Sequence, residues 1–198
     1  MNVFSDILTY ITQTIGLLYI GAIILRFFLQ VARADFYNPF SQAIVKITNP
    51  ALIPMRRLIP GVFGIDLAAI VLALALQFLV GELNYFIITQ TFFNPLTTLL
   101  LGVLGTLKMA TYLIFIVIII MVISSFVAPY SNNPIILLAR QLLEPLMRPI
   151  HRIIPPMGGL DFSVLFIGMG NVIIQKILDA VTFSLLTHRD QLFLLIGY

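Results

Sequence analysis

The chain has 198 residues, 60% hydrophobic and only 10% charged, with a mean hydropathy of +1.08, a net charge of +3 and no cysteine. Such a composition excludes a water-soluble globular domain, and the missing cysteine excludes disulfides, thiolate metal sites and covalent haem attachment. The small positive balance fits a membrane protein with basic inner loops, and no nucleic-acid partner is needed to account for it.

The first element is an apolar run from Ile7 to Phe28. At about 1.5 Å per helical residue it covers the ~30 Å of a hydrocarbon core. It precedes Ala32-Arg33-Ala34 as a signal peptide would, but no Lys or Arg stands before it, so it is expected to be a retained span.

The next segment, Asn38 to Asp66, recurs without a gap 95 positions later as Asn133 to Asp161, with nine of 29 pairs identical. About two matches would arise by chance at ordinary residue frequencies, so the chain carries an internal duplication. In each copy Asn before Pro (Asn38-Pro39, Asn133-Pro134) opens a helix, the Asn side chain accepting an early N–H and the Pro presetting φ. The stripes Phe40, Ala43, Ile44, Ile47 and Ile135, Leu138, Ala139, Leu142 predict short amphipathic helices lying at the membrane surface or against the bundle. Pro50 and Pro145, then Pro54 and Pro149, are expected to end these helices or restart them at an angle. A Pro/Gly turn leads to Asp66 or Asp161, each placed to cap the following span. An Arg57–Asp66 ion pair, mirrored by Arg152–Asp161, is one reading. The other makes each Asp only a cap and each Arg only an anchor for lipid phosphate.

Three more apolar runs follow: Leu67 to about Ile88, roughly Leu101 to Val127, and Phe162 to about Leu186. Residues 85–107 can be a loop, an extension of the third span or a re-entrant element. Shifting by 95 superposes the first and third runs and the second and fourth. The predicted fold is an all-α membrane protein, four transmembrane helices arranged as two parallel helix–amphipathic segment–helix repeats, over residues 1–95 and 96–198. Lys and Arg gather in the duplicated segments (Arg33, Lys46, Arg56, Arg57; Arg140, Arg148, Arg152), whereas 83–101 has none. The positive-inside rule places both segments in the cytoplasm and both termini outside.

The stretches Asp35-Phe-Tyr-Asn-Pro-Phe-Ser-Gln42, Pro54-Met-Arg-Arg-Leu-Ile-Pro60 and Arg148-Pro-Ile-His-Arg-Ile-Ile-Pro-Pro-Met-Gly-Gly-Leu-Asp161 resemble the paired signature of the YggT family. The resemblance covers nearly the whole chain. It implies a bacterial inner-membrane protein with plastid relatives, and roles in membrane assembly: cytochrome b cofactor maturation in plastids, division- or nucleoid-related organisation in some bacteria, osmotic-stress tolerance in others. It implies no catalytic residue. The second copy departs from the first at His151, where the first has Arg56, and lacks the Phe-Tyr before its Asn-Pro.

No hydrolase, zinc-protease, phosphate-loop, dinucleotide or calcium motif is present. His151 and His188 fall on opposite sides and cannot share a metal, and Pro149 spoils the Met147/His151 spacing for haem, so no cofactor is expected. Lys108 and Glu82 are the intramembrane polar candidates, although Glu82 and Lys176 stand near enough to span ends to snorkel, and Lys108 can do the same if the third span starts later than the run is drawn. Gly102 and Gly105 read as close helix contacts. The leading expectation is a non-enzymatic assembly, maturation or scaffold factor. Its basic segments (Asn38, Pro39, Arg56, Arg57, Asp66; Asn133, Pro134, Arg148, Arg152, Asp161) would meet anionic lipid, a membrane or cytoplasmic protein, or a second copy of the chain. The alternative is a transport-related protein serving ion balance or osmotic tolerance.

Overall fold

A computed structural model describes residues 3–62, 64–127, 131–152, 163–185 and 195–197. Among them are six α-helices and no strand: α1 (Val3–Val31), α2 (Pro39–Leu58), α3 (Leu67–Thr89), α4 (Pro95–Val127), α5 (Pro134–His151) and α6 (Ser163–Leu185). The order long, short, long therefore occurs twice. α1, α3, α4 and α6 are each long and apolar enough to cross a membrane. Segment 85–107 is resolved as helix on both sides of a short link. α3 ends on Gln90 in the left-handed conformation (φ 57°), and α4 begins at Pro95. The third span thus starts earlier than the apolar run alone indicates.

The caps form as their sequences predict. Asn38 Oδ1 accepts the Phe40 N–H at 2.9 Å and Asn133 Oδ1 accepts the Ile135 N–H at 2.9 Å, with Pro39 and Pro134 opening the helices. A tight turn closed by reciprocal Val62–Ile65 backbone bonds carries Gly64 at φ +80°, a conformation that glycine adopts freely. It delivers Asp66, whose Oδ1 accepts the Ala69 N–H at the start of α3.

The prolines do not end α2 or α5, which overturns the first of the two expected outcomes. α2 runs through Pro50 and Pro54, and α5 through Pro145 and Pro149. All four prolines are exposed, so the carbonyls they leave unbonded, one turn back, lie on the outer side of the helix where water or headgroups can solvate them.

α1 packs chiefly on α3 and α2, and α4 on α6, α3 and α5. One core joins Ile20, Ile23 and Ile24 of α1 to Leu52 of α2 and Ala69, Leu72 and Ala73 of α3, the alanines letting the helices approach closely. The second joins Val117 and Ile118 to Ala139, Leu143 and Met147, and to Val164 and Ile167. Leu29, Ala34 and Leu138 connect the two. At the other end, Leu195 and Ile196 pack against Leu101. The apolar residues left exposed along α1, α3, α4 and α6, such as Leu18, Leu79, Ile116 and Ile173, are those that lipid would cover.

The two amphipathic stripes diverge. Leu138 and Ala139 of α5 are buried against the bundle, whereas Phe40, Ala43 and Ile47 of α2 are exposed and the buried seam of α2 is Ser41, Thr48 and Leu52. A polar seam inside and an apolar stripe outside is the reverse of a helix resting on a soluble core. It suits one edge of the helix to membrane contact.

Candidate functional site

The inward seam of α2 is polar because it meets a charge. Arg26, on α1, is 6% exposed, and its Nη1 donates to Thr48 Oγ1 at 2.7 Å, Asn49 Oδ1 at 2.8 Å and the Val45 carbonyl at 3.3 Å. All three acceptors are neutral. Beside it, Arg56 donates from Nε (3.1 Å) and Nη2 (2.5 Å) to Asp66 Oδ2. Arg26, Gln30, Phe36, Arg56, Gly61 and Asp66 line a cavity of about 450 Å³. The predicted Arg57–Asp66 pair is therefore corrected: the partner is Arg56, and Arg57 is exposed with no ion pair among the described residues. α2 stays helical past Pro54, so Arg56 and Arg57 point about 100° apart and only the first turns towards α3.

The second copy is built differently. Arg148 pairs with Glu144 at 3.1 Å on the helix surface, an exposed contact worth ~0.3–0.5 kcal/mol. Arg152 is the exposed C-cap of α5, and Asp161, its expected partner, lies outside the described residues. The two short helices nevertheless adjoin. Asn38 Nδ2 donates to the Pro134 carbonyl at 2.7 Å, and the Asp35 N–H to Gln141 Oε1 at 2.9 Å. Asn38 thus caps one short helix while holding the first residue of the other.

The intramembrane candidates are not snorkelling. Lys108 is buried, and its Nζ lies 2.9 Å from Asp179 Oδ1 across the α4–α6 contact. Glu82 is also buried. It accepts the Phe93 N–H at 3.1 Å and the Thr98 hydroxyl at 2.5 Å, bringing a negative charge to the start of α4, where the helix dipole favours it. Lys176 is exposed, as a snorkelling residue would be. Asn171 Nδ2 donates to the Thr111 carbonyl at 3.1 Å. Gly105 is a close contact as predicted: a Cβ there would lie 2.9 Å from Ile196 and 3.1 Å from Gln77 Nε2, and Gln77 donates to the Ile196 carbonyl at 3.0 Å. Met147 is enclosed in the second core.

Sequence reasoning missed Arg26, Thr48, Asp179 and Thr98. One signal was available for Arg26. It is a lone charge within an otherwise apolar run, and the residue 95 positions on is Met121.

Four apolar spans joined by short helices that meet one another define a multi-pass membrane protein. The chain belongs to the CCB3/YggT family, whose sequence profile matches it twice, over residues 5–87 and 100–182. It is 43% identical to an uncharacterized protein of Vibrio alginolyticus, over 90% of this chain and 98% of the relative. An uncharacterized protein of Pseudomonas aeruginosa is also 43% identical, over 79% and 80%. The uncharacterized protein YggT of Escherichia coli K12 is 39% identical over 87% and 92%. No solved structure matches the chain.

Proposed function

We propose that the protein is a non-enzymatic assembly, maturation or scaffold factor of the bacterial inner membrane, acting through α2 and α5 on the cytoplasmic face with both termini outside. In this reading the two long–short–long units are parallel repeats. Their short helices form one platform for anionic lipid and a membrane or cytoplasmic protein, or for a second copy of the chain. The observation that carries it is the join between the short helices, Asn38 to Pro134 and Asp35 to Gln141. It fixes the start of one short helix on the start of the other, each carrying its basic residues, Arg56 and Arg57 or Arg148 and Arg152, towards its far end.

The transport-related reading, ion balance or osmotic tolerance, has its own observation. Asn84 is 0% exposed with neither amide atom bonded among the described residues, and Gln77 Oε1 and Thr9 Oγ1 share that state. Buried polar groups without partners inside a span are functional candidates. Against it, Lys108 and Glu82 are engaged in contacts that hold helices together.

Complementation of a deletion strain under osmotic upshift separates the two. The scaffold reading expects Arg57→Gln with Arg152→Gln to fail, and Asn84→Leu with Gln77→Leu to complement at wild-type protein level. The opposite pattern removes it. Crosslinkers placed at Arg57 and at Arg148 should capture the same protein.

A further inference from the structure

We infer that the cavity between α1, α2 and α3 is a binding site for a phosphate-class monoanion, held by the guanidinium groups of Arg26 and Arg56. This goes beyond the scaffold reading and does not depend on it, since occupancy is measurable on the purified protein whatever the protein assembles.

The first argument is charge. Arg26 is more than nine-tenths buried, and each of its Nη1 acceptors, Thr48, Asn49 and the Val45 carbonyl, is neutral. Among the described residues Asp66 is the one carboxylate lining the cavity, and it is taken up by two bonds from Arg56 and by the Ala69 N–H. The cluster keeps one net positive charge. A buried cation is tolerated when it is paired, and a monoanion in the cavity completes that pairing. Two guanidinium groups at one cavity offer the fork of donors that suits a tetrahedral oxyanion. At about 450 Å³ the space falls within the ~300–1,000 Å³ of small-ligand sites.

The second argument is internal to the chain. Shifted by 95, Arg26 becomes Met121 and Thr48 becomes Leu143. In the second half both pack in the apolar core with Ala139 and Met147. The same helix contact is therefore made there without charge, so packing α1 on α2 does not require Arg26. The pair changes together, polar in one half and apolar in the other, as a site present in only the first half demands. Arg56, likewise, is His151 in the second half.

Phosphate chemistry has two sources here: the phosphodiester of an anionic lipid, or soluble phosphate reaching the cavity from water. The cavity lies where α1 meets α2, at the end of a span, so either can reach it. The test is the thermal unfolding midpoint of the full chain in neutral detergent, titrated separately with phosphatidylglycerol, phosphatidylcholine and inorganic phosphate, with sodium chloride matching ionic strength. The expected result is a saturable rise with an anionic probe and none with phosphatidylcholine. A rise with phosphatidylglycerol alone assigns the site to lipid, and a rise with inorganic phosphate assigns it to the soluble anion.

The Arg26→Met/Thr48→Leu variant, which copies the second half, should lose the rise. Lys176→Gln, exposed on α6 and outside both the cavity and the short helices, should keep it. If the double variant has no cooperative transition, Arg56→Gln decides, with an expected loss in apparent affinity of about tenfold or more, about 1.4 kcal/mol. No rise with either anionic probe overturns the inference. So does an equal rise with phosphatidylcholine, or a rise that survives in the variants. Failure of the scaffold reading alone would leave all of these outcomes untouched.

Discussion

At the residue scale the informative pair is Arg56 and Asp66. Asp66 is 4% exposed and Arg56 39%, so the pair is half in water and its worth is that of a partly screened contact. Reversing one charge leaves two like charges at this junction, and Asp66→Arg also removes the α3 cap, which alone is worth about 1 kcal/mol. We expect Arg56→Asp to cost about 1–3 kcal/mol in detergent stability, Asp66→Arg somewhat more, and the double reversal to recover the pairing part but not the cap. Arg57→Asp should stay within about 0.5 kcal/mol, as exposed substitutions do. Chemical denaturation of the four variants checks this, and equal losses at Arg56 and Arg57 would contradict the pairing. The cap was legible in the sequence, since an Asp before an apolar run has one obvious use. The partner was not. Identity between the copies singled out Arg57, matched by Arg152, over Arg56, matched by His151, whereas helical phase decides which arginine faces α3, and that phase depended on whether Pro54 breaks the helix.

At the element scale the four spans were legible because only long apolar runs can satisfy their backbone in lipid, and their observed ends differ from the runs mainly where caps extend them. Which helices exchange charge was not legible. Lys108 and Asp179 are 71 residues apart, and only packing of α4 on α6 brings them to 2.9 Å. Asp179 is 34% exposed and stands within two turns of the end of α6, nearer the headgroup region than the enclosed lysine, so its charge survives alone more cheaply. The expectation is therefore asymmetric. Asp179→Leu, which takes the carboxylate from a buried ammonium, should cost about 3 kcal/mol, near the lower bound for broken buried pairs, and Lys108→Met about 1–2 kcal/mol. Lys108→Met/Asp179→Leu should recover most of the loss, because apolar replacements of similar volume are tolerated where both charges go together. Thermal unfolding in one detergent measures all three. A double variant no better than Asp179→Leu would show that Lys108 depends on another contact. The exposed stripe of α2 was likewise out of reach, since its periodicity marks an apolar face without saying whether protein or lipid covers it.

At the scale of the whole molecule, the join from Asn38 to Pro134 brings the starts of the two short helices together, while the basic residues of each stand at its far end. The topology proposed above from the positive-inside rule puts both short helices in the cytoplasm and, with four spans, both ends of the chain on the other side. A chain without cysteine is suited to testing this by single introduced thiols. The choice of positions follows from burial. Ser41 is 0% exposed, so a cysteine there would resist labelling on either side, whereas Gln42, Asn132, Thr91 and Val3 are all exposed. In intact cells a membrane-impermeant maleimide should label Val3→Cys and Thr91→Cys and spare Gln42→Cys and Asn132→Cys until the membrane is opened. Labelling of Gln42→Cys and Asn132→Cys in intact cells, with Val3→Cys and Thr91→Cys spared, would invert the topology and move the arginine cavity to the outer face. A split result, Gln42→Cys spared and Asn132→Cys labelled, would contradict the Asn38–Pro134 join itself, because residues bonded to one another cannot flank opposite sides of a bilayer.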